Sequence, residues 1–228
     1  MKIALLQSNY IPWKGVFDLI HAVDLFVFYE DADFTRCDWR TRNRIKTANG
    51  PQLLSVPVKH APLGTPIRAI EIADDHWRRK HRHAIELAYA KTPYFQQYRF
   101  LLDEIYGPAW RNLSEFNIAT TRIIAGTLGC RTPFADSGDF PGGGVKDDRI
   151  IDLCRQAGAD AYLSGPAAKS YIDPAKFERA GIRLEYMRYE YPSYPQLHGD
   201  FDPFVTVLDT IFHCGERAPE YIFRQHLS

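Results

Sequence analysis

The sequence predicts an α/β fold, a mostly parallel, Rossmann-like sheet flanked by helices, in a single domain over 1–228 with a helical insertion or subdomain at 77–128. Three observations predict it. The chain begins with a short apolar run, Ile3 to Leu6, followed by a helix-spaced segment, Lys14 to Ala22, and a second apolar run, Leu25 to Tyr29. That order is strand, turn, helix, strand. The same alternation returns between Asp147 and Tyr189, and a long helical stretch from about Trp77 to Leu128 separates the two. A parallel crossover of this kind is right-handed and leaves its loop at the carboxyl end of a strand, where open sheets bind ligands.

Pro12 and Gly15 punctuate the first turn, and Val16, Phe17 and Ile20 give the first helix its apolar face. A strand over Arg40 to Lys46 follows, with further strands expected at Leu53 to Val58 and Ala69 to Ile72. The helical middle is broken near Pro93 and Pro108. Phe134 to Val145, rich in Gly, Pro and Asp, is expected to be a mobile loop, and it lacks the Gly-Lys-Ser or Gly-Lys-Thr ending of a phosphate-binding loop. Then come a helix over Asp147 to Ala157, a strand over Ala161 to Leu163 ending at Ser164-Gly165-Pro166, a helix over Pro174 to Ala180 and a strand over Ile182 to Tyr189. Asp202-Pro203 reads as an N-cap with proline in the first turn, opening a last helix that runs through Asp209 to His213.

Lys plus Arg number 28 and Asp plus Glu number 28, for a formal net charge of +0. That balance excludes the global positive field of a bulk nucleic-acid or anionic-membrane binder, so any anion recognition is local. Cys37, Cys130, Cys154 and Cys214 contain no Cys-x-x-Cys pair, which argues against a zinc ribbon or a small disulfide scaffold and fits a reducing cytoplasm. No signal-peptide pattern follows Met1 and no apolar run reaches transmembrane length, so a cytoplasmic location without membrane insertion is expected.

The most distinctive local pattern places Arg40, Arg42, Arg44 and Lys46 on alternate positions. In a strand such positions lie roughly 6.6 Å apart on one face, a comb of cations suited to phosphates or carboxylates. The planar arginine fork grips two oxygens at once. Trp39 and Asn43 interleave with the cations, and an aromatic beside a guanidinium can stack on a base or sugar. Arg42, Asn43, Arg44 and Lys46 are therefore candidate substrate-binding residues; the competing reading is a solvated edge strand.

Other candidates sit at predicted strand ends. Gln7 and Tyr10 follow the first strand and could aim an amide and a phenol at a ligand covered by Trp13. Ser164 and Gly165, with Tyr171 beyond them, can offer N–H groups and a hydroxyl to an anion, or form a structural turn. Tyr189, Tyr191, Tyr194, Gln196 and His198 form a polar aromatic loop of the kind that lines sugar or nucleotide pockets. Asp209 lies in an apolar helix and needs a partner, either His198 or an arginine of the comb, and an Asp209–His198 pair would make an acid/base unit; His60 is the other candidate general base, with a surface histidine as its plain alternative. A helix puts His81 and His83 on different faces, and His76 forms no i, i+3 or i, i+4 pair with either, so no metal site is expected, and no spacing supports a covalent nucleophile.

Four blocks together carry a resemblance: Gln7-Ser-Asn-Tyr-Ile-Pro-Trp-Lys-Gly-Val-Phe17, Arg42-Asn-Arg-Ile45, Tyr162-Leu-Ser-Gly-Pro166 and Tyr194-Pro-Gln-Leu-His-Gly199. In this order they resemble the WbqC-like family of bacterial proteins, from Gln7 to Gly215. Thr41, Thr206 and His213 depart from the asparagine, serine and asparagine usual there. The resemblance implies a protein associated with surface polysaccharides or specialised sugars, expected to be a transferase moving an acyl or aminoacyl group onto a nucleotide-activated amino sugar. No cofactor is indicated.

A fainter likeness links Pro12-Trp-Lys-Gly15 and the strand ending near Glu30-Asp31 to the opening of the His-x-Gly-His nucleotidyltransferases, without the essential histidines. It implies topology alone. The alternatives are accordingly an ATP-dependent adenylating enzyme or ligase, and a non-catalytic subunit that binds a sugar nucleotide or a tRNA acceptor arm. The expected partner is an anionic or nucleotide-activated small molecule, with tRNA as a further possibility.

Overall fold

Side chains of the first strand alternate between two buried faces, so the sheet needs cover on both sides. In the computed structural model, which describes residues 1–223, β1 (Lys2–Leu6) turns Ile3 and Leu5 to one face and Ala4 to the other. The segments that follow are β2 (Leu25–Phe28), β3 (Arg42–Thr47), β4 (Gly50–Ser55), β5 (Phe134–Asp136), β6 (Ala161–Ser164) and β7 (Arg183–Tyr186). Five of them form one sheet in the order β5-β2-β1-β6-β7, every adjacent pair parallel, while β3 and β4 form a separate antiparallel hairpin.

One face carries α1 (Lys14–His21), α2 (His76–Tyr89), α3 (Phe95–Tyr98), α4 (Phe100–Tyr106), α5 (Leu113–Thr127), α8 (Val207–Cys214) and α9 (Ala218–Ile222). Phe17, Trp77, Ile105, Phe116 and Phe212 share a contiguous core there with Ala4, Phe26 and Phe28. The other face is covered by α6 (Asp147–Gln156) and α7 (Pro174–Arg179), whose Leu153 and Phe177 pack with Ile3, Leu5 and Val27. Local sequence sets the helix starts: Asn112 caps α5 and Asp173 caps α7 through side-chain oxygens, with Pro174 in the first turn.

Several expected boundaries move. The segment at Phe134 supplies edge strand β5, because Phe134 packs against Phe26 and Phe28. Of Leu53 to Val58 only the part up to Ser55 belongs to the hairpin, and in place of a strand over Ala69 to Ile72 there is a single-turn 3-10 helix at Ile67–Ala69 followed by isolated bridges at Glu71 and Ile72. Arg40 precedes β3 and is paired with Asp38. The last helix is capped by Thr206, whose hydroxyl accepts the Leu208 N–H at 3.4 Å, while the Asp202 carboxylate accepts the Phe204 N–H in a turn of its own. Residues 203–206 stay out of the helix because Thr206 donates its N–H to the Arg44 carbonyl and bridges Trp13.

The chain leaves β1 toward β2 on one side, and β6 pairs on the other. Open α/β sheets bind ligands in the crevice at such a reversal, beyond the carboxyl ends of the strands.

Candidate functional site

The loop leaving β1 is tied to distant segments by one side-chain amide and by backbone hydrogen bonds. Asn43 of β3 donates its amide to the carbonyls of Ile11 at 2.7 Å and Tyr10 at 3.3 Å, and Ile11 adopts the left-handed region with φ 34°. The Tyr10 N–H reaches the Trp39 carbonyl at 2.9 Å, so Trp39 is brought beside the same loop. Gly15 is required by close approach: a Cβ there would stand 2.3 Å from the Trp13 ring. Val207 donates to the Pro12 carbonyl, which ties the loop to the start of α8.

These ties enclose a cavity of about 410 Å³, a size suited to a sugar or nucleoside moiety. Its walls are aromatic: Trp13, the largely exposed Trp39, Tyr189 and Phe204. Trp13 meets Tyr189 edge-on at 4.9 Å and Tyr191 at 5.9 Å. Asn9, Asn43 and Arg44 supply polar groups. Arg44 donates from Nε to the Phe204 carbonyl at 2.9 Å, lies 3.8 Å from Asp202 and sits over the Phe204 ring at 5.9 Å. Burial pushes the Tyr189 phenol up to about 12, so at neutral pH it acts as a protonated hydroxyl. Gly165 lies against this wall, since a Cβ on it would come within 3.6 Å of the Tyr189 hydroxyl. The loop after β1 lines the cavity through Asn9, Pro12 and Trp13, and the residue after β6 backs it through Tyr189.

The cationic comb is divided among three environments. Arg44 and Asn43 face the aromatic cavity. Lys46 is buried and serves the fold: its ammonium donates to Gln196 Oε1 at 2.8 Å, to the Gly199 carbonyl at 3.2 Å and to the Asp200 carbonyl. Arg42 turns to a different groove, with His60. The four expected substrate ligands of β3 therefore do not act on one anion.

Tyr10 is a core residue rather than a lip. It is 1% exposed, with its hydroxyl 2.7 Å from His81 Nδ1 and 2.6 Å from the Tyr106 hydroxyl. Desolvation lowers His81 to about 4. Gln7 is half-buried at the end of β1, Ser164 is buried as the last residue of β6, and Tyr171 is 70% exposed.

Asp209 finds partners other than those expected. Its Oδ1 accepts from the Tyr194 hydroxyl and the Gln196 amide, both at 2.7 Å. The nearby histidine is His213, one turn on: its Nε2 accepts the Leu197 N–H, which leaves Nδ1 to donate to the Asp209 carbonyl at 2.7 Å. His198, in a left-handed conformation with φ 68°, instead bonds the Ala88 carbonyl at 3.1 Å, so the His198–Asp209 unit is absent. Tyr194 and Gln196 are polar neighbours of a buried carboxylate and are not among the residues lining the cavity.

Sequence reasoning passed over Asn9 and Phe204, whose isolated positions give no periodic signal, and Lys14, which sits inside the Pro12-Trp-Lys-Gly15 motif. Lys14 is 2% exposed, its ammonium unpaired by hydrogen bonds and placed over the rings of Tyr191, Tyr194 and Phe201 at 4.8, 5.3 and 5.3 Å. Desolvation lowers it to about 8, against the opposing influence of Asp209.

No helix among the described residues is long and apolar enough to cross a membrane. The pattern of the WbqC-like protein family matches residues 7–221. A Mycobacterium tuberculosis (strain ATCC 25618 / H37Rv) protein named "Uncharacterized protein Rv1507c" is 41% identical over 224 residues, covering 97% of each chain. No solved structure matches the chain.

Proposed function

Because the chain belongs to the WbqC-like protein family, we propose that it is a transferase of bacterial surface-polysaccharide or specialised sugar biosynthesis, holding a nucleotide-activated amino sugar in the aromatic cavity while an acyl or aminoacyl group is transferred to it. The observation that carries this reading is the cavity's make-up. Trp13, Trp39, Tyr189 and Phe204 offer flat faces to a sugar or base, and Asn9, Asn43 and Arg44 offer the few directed polar groups that fix orientation. Its lining by the loop after β1 supports the reading, since open α/β sheets bind ligands beyond the carboxyl ends of their strands. In acyl transfer the sugar amine would form the new C–N bond at the donor's activated carbonyl carbon while the acyl–carrier bond breaks, the carrier leaving with its electron pair and taking up the proton the amine loses. The protonated Tyr189 hydroxyl and the Arg44 guanidinium would favour the negative charge developing on the carbonyl oxygen.

A second reading is favoured by a specific feature: among the described residues, no histidine, carboxylate or cysteine lines the cavity. A subunit that binds the activated sugar and presents it to another enzyme needs none. Calorimetric titration with sugar nucleotides, paired with a turnover assay using acyl and aminoacyl donors, separates the two. The transferase reading expects saturable binding lost in Trp39→Ala, and donor-dependent turnover lost in Tyr189→Phe with binding kept. Binding without turnover for any donor supports the presenting subunit, and absence of sugar-nucleotide binding overturns both.

A further inference from the structure

Arg42 is half-buried, yet its guanidinium has no carboxylate and no hydrogen-bond partner among the described residues. Its neighbours in the comb are neutralised, Arg40 by Asp38 and Arg44 by Asp202. An arginine left without a counter-ion in a partly desolvated position is costly unless a ligand supplies one. Arg42 opens on a groove of about 400 Å³ whose other cationic and imidazole groups are Arg36, Lys59 and His60.

Arg36 also lacks a carboxylate among the described residues; it donates to His60 Nδ1 at 3.1 Å and to the Ala61 carbonyl at 3.4 Å. Donation into Nδ1 makes Nε2 the protonated nitrogen of His60, so the neutral imidazole contributes a further donor. Lys59 is shared with Glu71, which leaves a net of two positive charges on Arg36 and Arg42. The frame is well tied: Lys59 donates its N–H to the Glu71 carbonyl at 2.9 Å, Val56 donates to Thr41 at 2.7 Å, and Val58 bridges Ile72.

We propose that this groove is a second binding site, for the phosphate or diphosphate group of a small-molecule ligand, with Arg36 and Arg42 as its charged grips and His60 as an auxiliary donor. A planar monoanionic carboxylate is satisfied by one arginine fork. Two unneutralised guanidiniums and an imidazole N–H match a dianionic, many-oxygen phosphate instead. His60 is thereby a binding group of this groove, and the assignment stands apart from the aromatic cavity.

The test is calorimetric titration of the full chain with inorganic pyrophosphate, with wild type, Arg42→Gln, Arg36→Gln, His60→Ala and Trp39→Ala compared at constant ionic strength. The expected result is saturable binding by wild type, weakened at least tenfold in both arginine variants, weakened less in His60→Ala and unchanged in Trp39→Ala. Should Arg42→Gln lose its cooperative thermal transition, the exposed Arg36 and His60 positions carry the comparison. Absence of saturable binding, or binding that survives Arg36→Gln and Arg42→Gln, overturns the proposal. Loss in Trp39→Ala equal to that in Arg36→Gln would place pyrophosphate in the aromatic cavity and overturn it as well.

Discussion

The ammonium of Lys14 and the carboxylate of Asp209 interact across the interior without a hydrogen bond between them, one at the start of α1 and the other in α8. Both side chains are almost fully buried, at 2% and 0% exposure. Three aromatic rings surround the ammonium, and two hydroxyl or amide donors hold the carboxylate oxygen Oδ1. The pair sits directly behind the aromatic wall, since Tyr191 touches both Lys14 and Trp13.

Lys14 makes stability depend on pH in a defined window. In the unfolded chain it stays charged up to its ordinary value of 10.5, and in the folded chain only up to about 8. Between those values the unfolded state binds more protons, so this group's contribution to stability rises with pH. Below pH 8 its full cost is present. Relative to Lys14→Met, wild type should gain on the order of 3 kcal/mol between pH 8 and 10.5. Denaturant melts of both proteins across that range check it; a constant difference would show that Lys14 keeps an ordinary affinity for its proton.

His81 acts on the acid side. Its proton affinity falls from 6.5 to about 4 on folding because the imidazole is buried against Tyr10 and Tyr106. Below pH 6.5 the unfolded chain takes up the proton first, so stability falls as pH drops toward 4. His81→Leu should therefore lose less stability than wild type over that interval, by about 3 kcal/mol. Urea melts at pH 7, 5.5 and 4 measure the difference, with parallel slopes of stability against pH as the contrary result.

Lys46 is predicted to hold the 196–200 loop, not a ligand. Lys46→Met removes the ammonium donor from the Gly199 and Asp200 carbonyls and one of two donors from Gln196 Oε1, which keeps the Asp202 N–H, and should cost about 2 kcal/mol. Sugar-nucleotide affinity, corrected for the folded fraction, should change less than threefold. A large affinity loss in a stably folded variant would return Lys46 to the binding site.

Gly15→Ala tests the seating of Trp13. The added Cβ would stand 2.3 Å from the ring, and the rigid indole must swing out of the cavity wall. Ligand affinity should fall about tenfold or more, the scale of one lost aromatic stack, with an altered tryptophan fluorescence maximum. Unchanged affinity would remove Trp13 from the recognition surface.

Much of the sheet was legible because its signals are local. Ile3 to Leu6, Leu25 to Tyr29 and Ala161 to Leu163 are continuous apolar runs, and they became central parallel strands buried on both faces. Strand β5 was hidden because Phe134-Ala135-Asp136 is only three residues long and lies among Gly and Pro, so its identity comes from Phe26 and Phe28 beside it. The candidate site was legible only in part. Trp13, Asn43 and Arg44 line the cavity, whereas Tyr10, Lys46 and Tyr194 are buried away from it.

The sequence by itself determined the parallel α/β alternation, the family, and the concentration of aromatics and arginines around the first loop and β3, because composition and periodicity are properties of neighbouring residues. Tertiary structure alone decided which of those residues share a cavity. Hairpin β3–β4 leans on residues 203–206 and on the loop after β1, and these long-range ties send Arg44 to one groove, Arg42 to another and Lys46 into the interior. Period-two spacing places side chains on one face, but the environment that face meets at each step is set by segments far away in the chain.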